Sequence, residues 1–230
     1  MTAVWVTRTQ PGAASMAKHL RRAAIQSNVA PLMDIRRITS DSPQGSFDLA
    51  VYLSQHAARS IDAEDIDASR HMAIGAATQQ ALSYLGISSE LPDRSSSEGI
   101  VKHVSTSLKT GASVLIVCGE DGRSMLPTRL KSMGYSVSIW PVYRRVRETR
   151  KPRLERDCEI VELSSVTSVQ TYRKIVRRHA LVSTEEPYLV VPSRRIGKYG
   201  KLLGFERVYV TPGASSRSFV RVIRRMILSD

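Results

Sequence analysis

Gly119-Glu-Asp-Gly-Arg123 follows an apolar run and opens a helical pattern. Its glycines let backbone approach a ligand, and a helix N-terminus favours anions; an ordinary strand-to-helix turn has the same appearance. Hydroxyls stand at comparable places, with Ser54 after Leu49–Leu53, Thr78 just beyond Gly75, and Ser165 after Ile160–Leu163. Such a hydroxyl and the N–H groups beside it hold a carboxylate, or it caps the helix that follows. Arg8 ends the run Ala3–Thr7 and is read as a carboxylate fork or as half of a surface ion pair. Tyr143 lies in the extended run Ser136–Arg145, where alone it reads as a strand tyrosine packed for structure. Arg144 and Arg145 bind carboxylates or solubilise that run. No Ser-His-Asp order, HExxH, P-loop or CxxC is present. His19, His56, His71, His103 and His179 are scattered. His71 starts a strand, while His19, His103 and His179 read as solvated. Cys118 and Cys158 build neither a zinc site nor a disulfide framework, and fit a reducing compartment as small buried residues.

The elements that must position these groups form an internal repeat. Residues 3–37 and 113–145 each read as a β-rich run, a loop, an amphipathic helix, a second apolar run with a proline (Pro31, Pro141), then Arg-Arg. The second helix carries Leu126, Leu130 and Met133 on one stripe, with Gly134 as its C-cap. LAVYLS at 49–54 matches IVELSS at 160–165, and HMAIG at 71–75 matches YLVVPS at 188–193. A strand at 207–211 precedes a final helix with Phe219, Ile223, Met226 and Ile227 on one face and Arg217, Arg221, Arg224 and Arg225 on the other. Alternating strands and helices in two copies predict two small α/β domains with parallel sheets flanked by helices. Extended, Arg-rich pieces near 35–42 and 142–153 are the expected linkers, able to pair as two strands.

The chain has 230 residues, with 34 Lys and Arg against 21 Asp and Glu, a formal charge of +13. With 42% apolar residues it can build a core, which excludes disorder as its main state. No apolar stretch approaches the roughly 20 residues of a membrane span, and the N-terminus lacks the pattern of a signal peptide, so a cytoplasmic location is expected. The charge suggests an anionic partner. Aromatic residues are only 6%, and no base-stacking platform is visible, so a small polyanionic metabolite explains the charge as well as nucleic acid does.

The order of GEDGR, a helix, and SVSIWPVYRR closely resembles the central signature of the uroporphyrinogen-III synthase family. Val6-Thr7-Arg8, Leu53-Ser54, Ala73-Ile-Gly75-Ala-Ala-Thr78 and Ser96-Ser-Glu98-Gly-Ile100 resemble its other segments in order. The resemblance implies two α/β domains joined by a two-stranded β linker, with an active-site cleft between them. It implies a discontinuous domain at 1–36 plus 146–230 and an inserted domain at 37–145. It implies cyclisation of hydroxymethylbilane to uroporphyrinogen III, with loss of water and inversion of ring D, and no cofactor. Tyr143 matches the motif tyrosine, the candidate acid for the departing hydroxyl. Arg8, Ser54, Thr78, Gly119, Arg123, Ser165, Ser193 and Arg194 are the candidate substrate-binding residues. The chain departs from the family at Ser193-Arg-Arg-Ile196, where Ser replaces Gly, Ile replaces Thr, and two cations enter. Partners expected on this reading are hydroxymethylbilane and, transiently, hydroxymethylbilane synthase, with the chain a monomer and neither membrane nor nucleic acid engaged. The alternative is a non-catalytic relative that binds a polyanion such as nucleic acid.

Overall fold

A computed structural model describes residues 2–122, 125–154, 157–179 and 186–229. The chain divides into unit 1, Met1–Asp34 with Val146–Asp230, and unit 2, Ile35–Arg145. In chain order the first elements are β1 (Ala3–Val6), α1 (Gly12–Arg22), β2 (Gln26–Val29), β3 (Met33–Arg37) and β4 (Leu49–Tyr52). Then come α2 (Gln55–Ala58), β5 (His71–Ala73), α3 (Ala76–Ser83), α4 (Ser97–Ser107), β6 (Ser113–Gly119), α5 (Met125–Ser132) and β7 (Ser136–Arg147). The chain ends with β8 (Ile160–Glu162), α6 (Val166–His179), β9 (Tyr188–Val191), α7 (Arg194–Leu202), β10 (Val208–Val210) and α8 (Ser216–Ser229).

Among the described residues the strands form two five-stranded sheets, β10-β9-β8-β1-β2 and β3-β7-β6-β4-β5. The paired strands β9-β8-β1-β2 follow the same order as β5-β4-β6-β7, so the sequence repeat is a repeat of sheet topology. All of these pairs are parallel. Parallel central strands are covered on both faces and therefore read as unbroken apolar runs. Leu49–Tyr52 and Val114–Cys118 are buried throughout for this reason. The edge strand β2, Gln-Ser-Asn-Val, is exposed at Gln26 and Val29 and lacks such an apolar run.

In unit 1, α1 lays Ala13, Met16 and Leu20 against Val4 and Val6, and Phe219 and Ile223 of α8 join the same cluster. Tyr172 and Ile175 of α6 and Ile196 of α7 pack with Trp5, Val161 and Leu189 in a second cluster. In unit 2, Ile100, Val104, Leu126 and Leu130 cover one set of strand side chains, while Ala57, Ala58, Ala81 and Leu82 cover another. The C-cap expected at Gly134 has φ +86°, a backbone that favours glycine.

The chain passes between units inside β3 and again inside β7, adjacent strands of the second sheet. Val142–Arg147, read from sequence as the start of a linker, completes the long strand β7. His103 also differs from its solvated reading. It is half-buried and bonds Glu90 at 2.9 Å, and the same carboxylate grips Arg70 through Nε and Nη2 at 2.7 and 2.9 Å. Among the described residues no helix is long and apolar enough to cross a membrane.

Candidate active site

In unit 2, Ser54 follows β4 and Gly119 ends β6, at the carboxyl ends of adjacent central strands. The connection after β4 leads to β5 on one side, and that after β6 leads to β7 on the other. Such a switch point is where open parallel sheets leave room for ligands. The sequence itself makes the last feature of this site. Pro141 in β7 has no N–H for the ladder, and the register slips so that Cys118 faces Pro141 while Gly119 faces Tyr143. Glu120 then donates its N–H to the Tyr143 carbonyl at 2.8 Å. The slip brings the tyrosine over the end of β6.

The Tyr143 hydroxyl receives two donors. Ser54 Oγ donates to it at 3.1 Å and Arg145 Nη2 donates to it at 3.1 Å. Ser54 Oγ in turn accepts from the Ala57 N–H, capping α2. Accepting two hydrogen bonds leaves the phenol its own proton to give away. Both donors point at the oxygen that carries negative charge once that proton has left. The Arg145 guanidinium lies 5.5 Å from the ring centre, and His56 packs at 5.6 Å from it. Burial, with the Arg145 and Arg59 cations, pushes the His56 pKa down, so the imidazole stays neutral at neutral pH.

Gly119 is required by contact rather than by backbone conformation. A Cβ there would fall 2.7 Å from Tyr143 Cζ and 3.0 Å from its hydroxyl oxygen. The ring is buried and tethered at its tip, so it cannot yield freely. Gly119→Ala is expected to displace the hydroxyl and lower turnover by about a hundredfold, the usual cost of a misplaced reacting group. Steady-state kinetics, with near-UV circular dichroism to report the ring, check this. Ser54→Ala removes the α2 cap and one donor to Tyr143. It is expected to cost about 1 kcal/mol of stability and up to about tenfold in turnover, read by urea melts and kinetics.

The other sequence candidates fall elsewhere. Thr78 is buried in the first turn of α3, beyond the N-cap Gly75. Ser165 and Ser168 bond reciprocally, each Oγ accepting the other's N–H at 3.0 Å, a capping arrangement at the start of α6. Ser193 caps α7 by accepting the Ile196 N–H. Arg194 and Arg195 are exposed in the first turn of α7, where the helix dipole disfavours cations and favours an anion. Ile196 points into the unit 1 core, so this apolar residue serves packing. Arg123 lies outside the described residues.

Arg8 is in unit 1 at the equivalent switch point, between β1 and β8. Its Nε bonds Glu162 Oε1 at 2.7 Å, and its guanidinium lies 4.7 Å from the Phe219 ring centre. Glu162 is fully buried, and burial pushes its pKa up against the opposing pull of Arg8. Arg8 Nη2 and Glu162 Oε2 are both buried with no protein partner among the described residues. Arg8 is thus committed to an internal ion pair. Sequence reading missed Glu162; the signal was a carboxylate inside the otherwise apolar run Ile160–Leu163. It also left open the aim of Arg145, which bears on the phenol.

Paired parallel α/β units, with a hydrogen-bonded phenol at the carboxyl end of one sheet, describe a class of fold that binds ligands at its strand ends. The described residues hold no group of His, Cys, Asp or Glu able to bind a metal ion. A family model, Uroporphyrinogen-III synthase HemD, matches residues 14–221, so the chain belongs to the uroporphyrinogen-III synthase family. Two solved structures share the fold. Uroporphyrinogen-III synthetase from Helicobacter pylori has a TM-score of 0.65 at 14% identity, covering 98% of this chain and 99% of that one. A mutant uroporphyrinogen III synthase from the extremely thermophilic bacterium Thermus thermophilus has a TM-score of 0.55 at 14% identity, covering 100% of both chains.

Proposed function

We propose that Tyr143 is the general acid with which this uroporphyrinogen-III synthase expels the hydroxyl of hydroxymethylbilane. One observation carries the reading: the phenol oxygen accepts bonds from both Ser54 and Arg145. The electron-rich pyrrole pushes out the hydroxyl, and Tyr143 supplies the proton that makes it water. The azafulvene cation is attacked at the substituted carbon of ring D, giving a spiro-pyrrolenine that fragments and recloses. Reclosure releases one proton, which restores the phenol. The guanidinium of Arg145 and the hydroxyl of Ser54 hold the phenolate in the interval.

The substrate is a polycarboxylate, and cations and hydroxyls at helix starts suit its acetate and propionate arms. We assign that role to Ser54, Gly119, Ser193 and Arg194, with Arg8, Thr78 and Ser165 supporting the scaffold. The inserted domain is 37–145 on this reading, and the chain acts as a cytoplasmic monomer receiving substrate from hydroxymethylbilane synthase. The test is the rate at which freshly generated hydroxymethylbilane disappears. Catalytic amounts of the protein accelerate it over buffer; a rate equal to that of buffer overturns the assignment.

A further inference from the structure

The helices of unit 1 carry an unusual charge. Within their bounds, α1, α6, α7 and α8 hold fifteen Lys and Arg and no Asp or Glu. Surface helices ordinarily interleave opposite charges at i,i+4, and like charges at that spacing destabilise a helix. Here Arg217, Arg221 and Arg225 repeat at i,i+4,i+8 along α8, and Lys18 precedes Arg22 by four on α1. None of these side chains adds to the core, since Arg217, Arg221, Arg224, Arg225, Lys18, Arg21 and Arg22 are all exposed. No acidic side chain lies within ion-pair distance of Arg217, Arg221 or Arg224 among the described residues.

The arginines of α8 also have a shape. α8 packs beside α1, and the two helices leave an open groove of about 380 Å³. Arg217, Arg221, Arg224 and Arg225 with His19 rim it, and Val220 lies in its lining. At 1.5 Å per residue the stripe from Arg217 to Arg225 is about 12 Å long, the scale of a short run of backbone phosphates. The guanidinium fork suits phosphate oxygens better than a point charge does.

We propose that the α1–α8 face of unit 1 binds the phosphate backbone of duplex nucleic acid without reading its sequence. Duplex is favoured over single strand because Phe219, the aromatic residue of these two helices, is buried and offers no base a stacking surface. A membrane surface fits less well. Among the described residues Leu228 is the exposed large apolar residue of α8, and the others of unit 1 (Val29, Leu202, Tyr209, Val210) stand on β2, α7 and β10. Composition alone did not favour nucleic acid; the placement of the cations on acid-free helices does.

The test uses the full chain and a labelled random duplex of about 20 base pairs, followed by fluorescence anisotropy between about 50 and 300 mM KCl. Micromolar binding at low salt is expected, with a log–log salt slope of about −3 to −4 for four phosphate contacts. Arg217→Glu/Arg221→Glu/Arg224→Glu should weaken binding at least about tenfold and flatten that slope, with product formation unchanged as the control for folding. The triple Gln variant should do the same more mildly. Lys174→Glu/Arg177→Glu/Arg178→Glu on α6 carries the same charge change and should leave most of the binding. Absence of binding at low salt, equal losses from the α6 and α8 variants, or tighter binding to single strands, acidic polypeptide or phosphatidylserine vesicles than to the duplex would overturn the proposal.

Discussion

Tyr143→Phe is expected to lower kcat by about 10²–10⁴-fold, the range over which a positioned general acid contributes, while leaving the protein folded. The substitution removes one oxygen and keeps the ring. The ring is 3% exposed within the unit 2 core, so its contacts with Trp140 and Val142 survive. The loss to the fold is confined to the two bonds received from Ser54 and Arg145, about 1 kcal/mol for the first and about 1.5–3 kcal/mol for the charged second. KM should change little, because the hydroxyl acts on the departing group rather than on the carboxylate arms. Single-turnover kinetics with thermal melts separate the two effects. Turnover within about twofold of wild type would remove Tyr143 as the acid.

The second large effect is on stability, and it belongs to unit 1. Arg8→Met leaves Glu162 buried without its partner, at an expected cost of about 3–5 kcal/mol at neutral pH. The cost should shrink as pH falls. Burial already raises the Glu162 pKa, and removing Arg8 removes the interactions that hold it down. A raised folded pKa means that the acid's contribution to stability is complete below its unfolded value of about 4.3. That contribution is lost as pH rises through the folded value. In Arg8→Met the loss is larger, so its deficit against wild type grows as pH rises above about 4. Arg8→Met/Glu162→Leu, which removes both charges, should recover most of the stability. Urea melts across that range decide it. A deficit that does not change with pH would mean that Arg8 acts outside the ion pair, as a surface cation facing ligand does.

Much of the fold was visible in sequence because parallel central strands announce themselves. LAVYL, VLIVC and YLVV are apolar on both faces, and the match of 3–37 to 113–145 is reproduced in the order of the two sheets. The C-terminal helix likewise buries Phe219 and Ile223 and exposes its arginines. The site was legible only as a set of residue types. Ser54 and Tyr143 are 89 positions apart, and their meeting depends on a register slip that Pro141 makes but that no sequence spacing displays. The hydroxyl turns look alike in sequence: Ser54, Ser165 and Ser193 all cap helices, and Ser54 alone among these three reaches the phenol. Arg8 read as a cation for carboxylates, and it holds one, on Glu162 of its own unit.

If the chain directs ring closure, the isomer it makes reports it. Hydroxymethylbilane left alone closes without inversion to the type I product. Incubated with the protein and then oxidised to porphyrin for chromatographic separation, it is expected to give the type III isomer predominantly, with the type I share rising in Tyr143→Phe. Type I alone, with the protein folded and in excess, would mean that the chain does not direct closure.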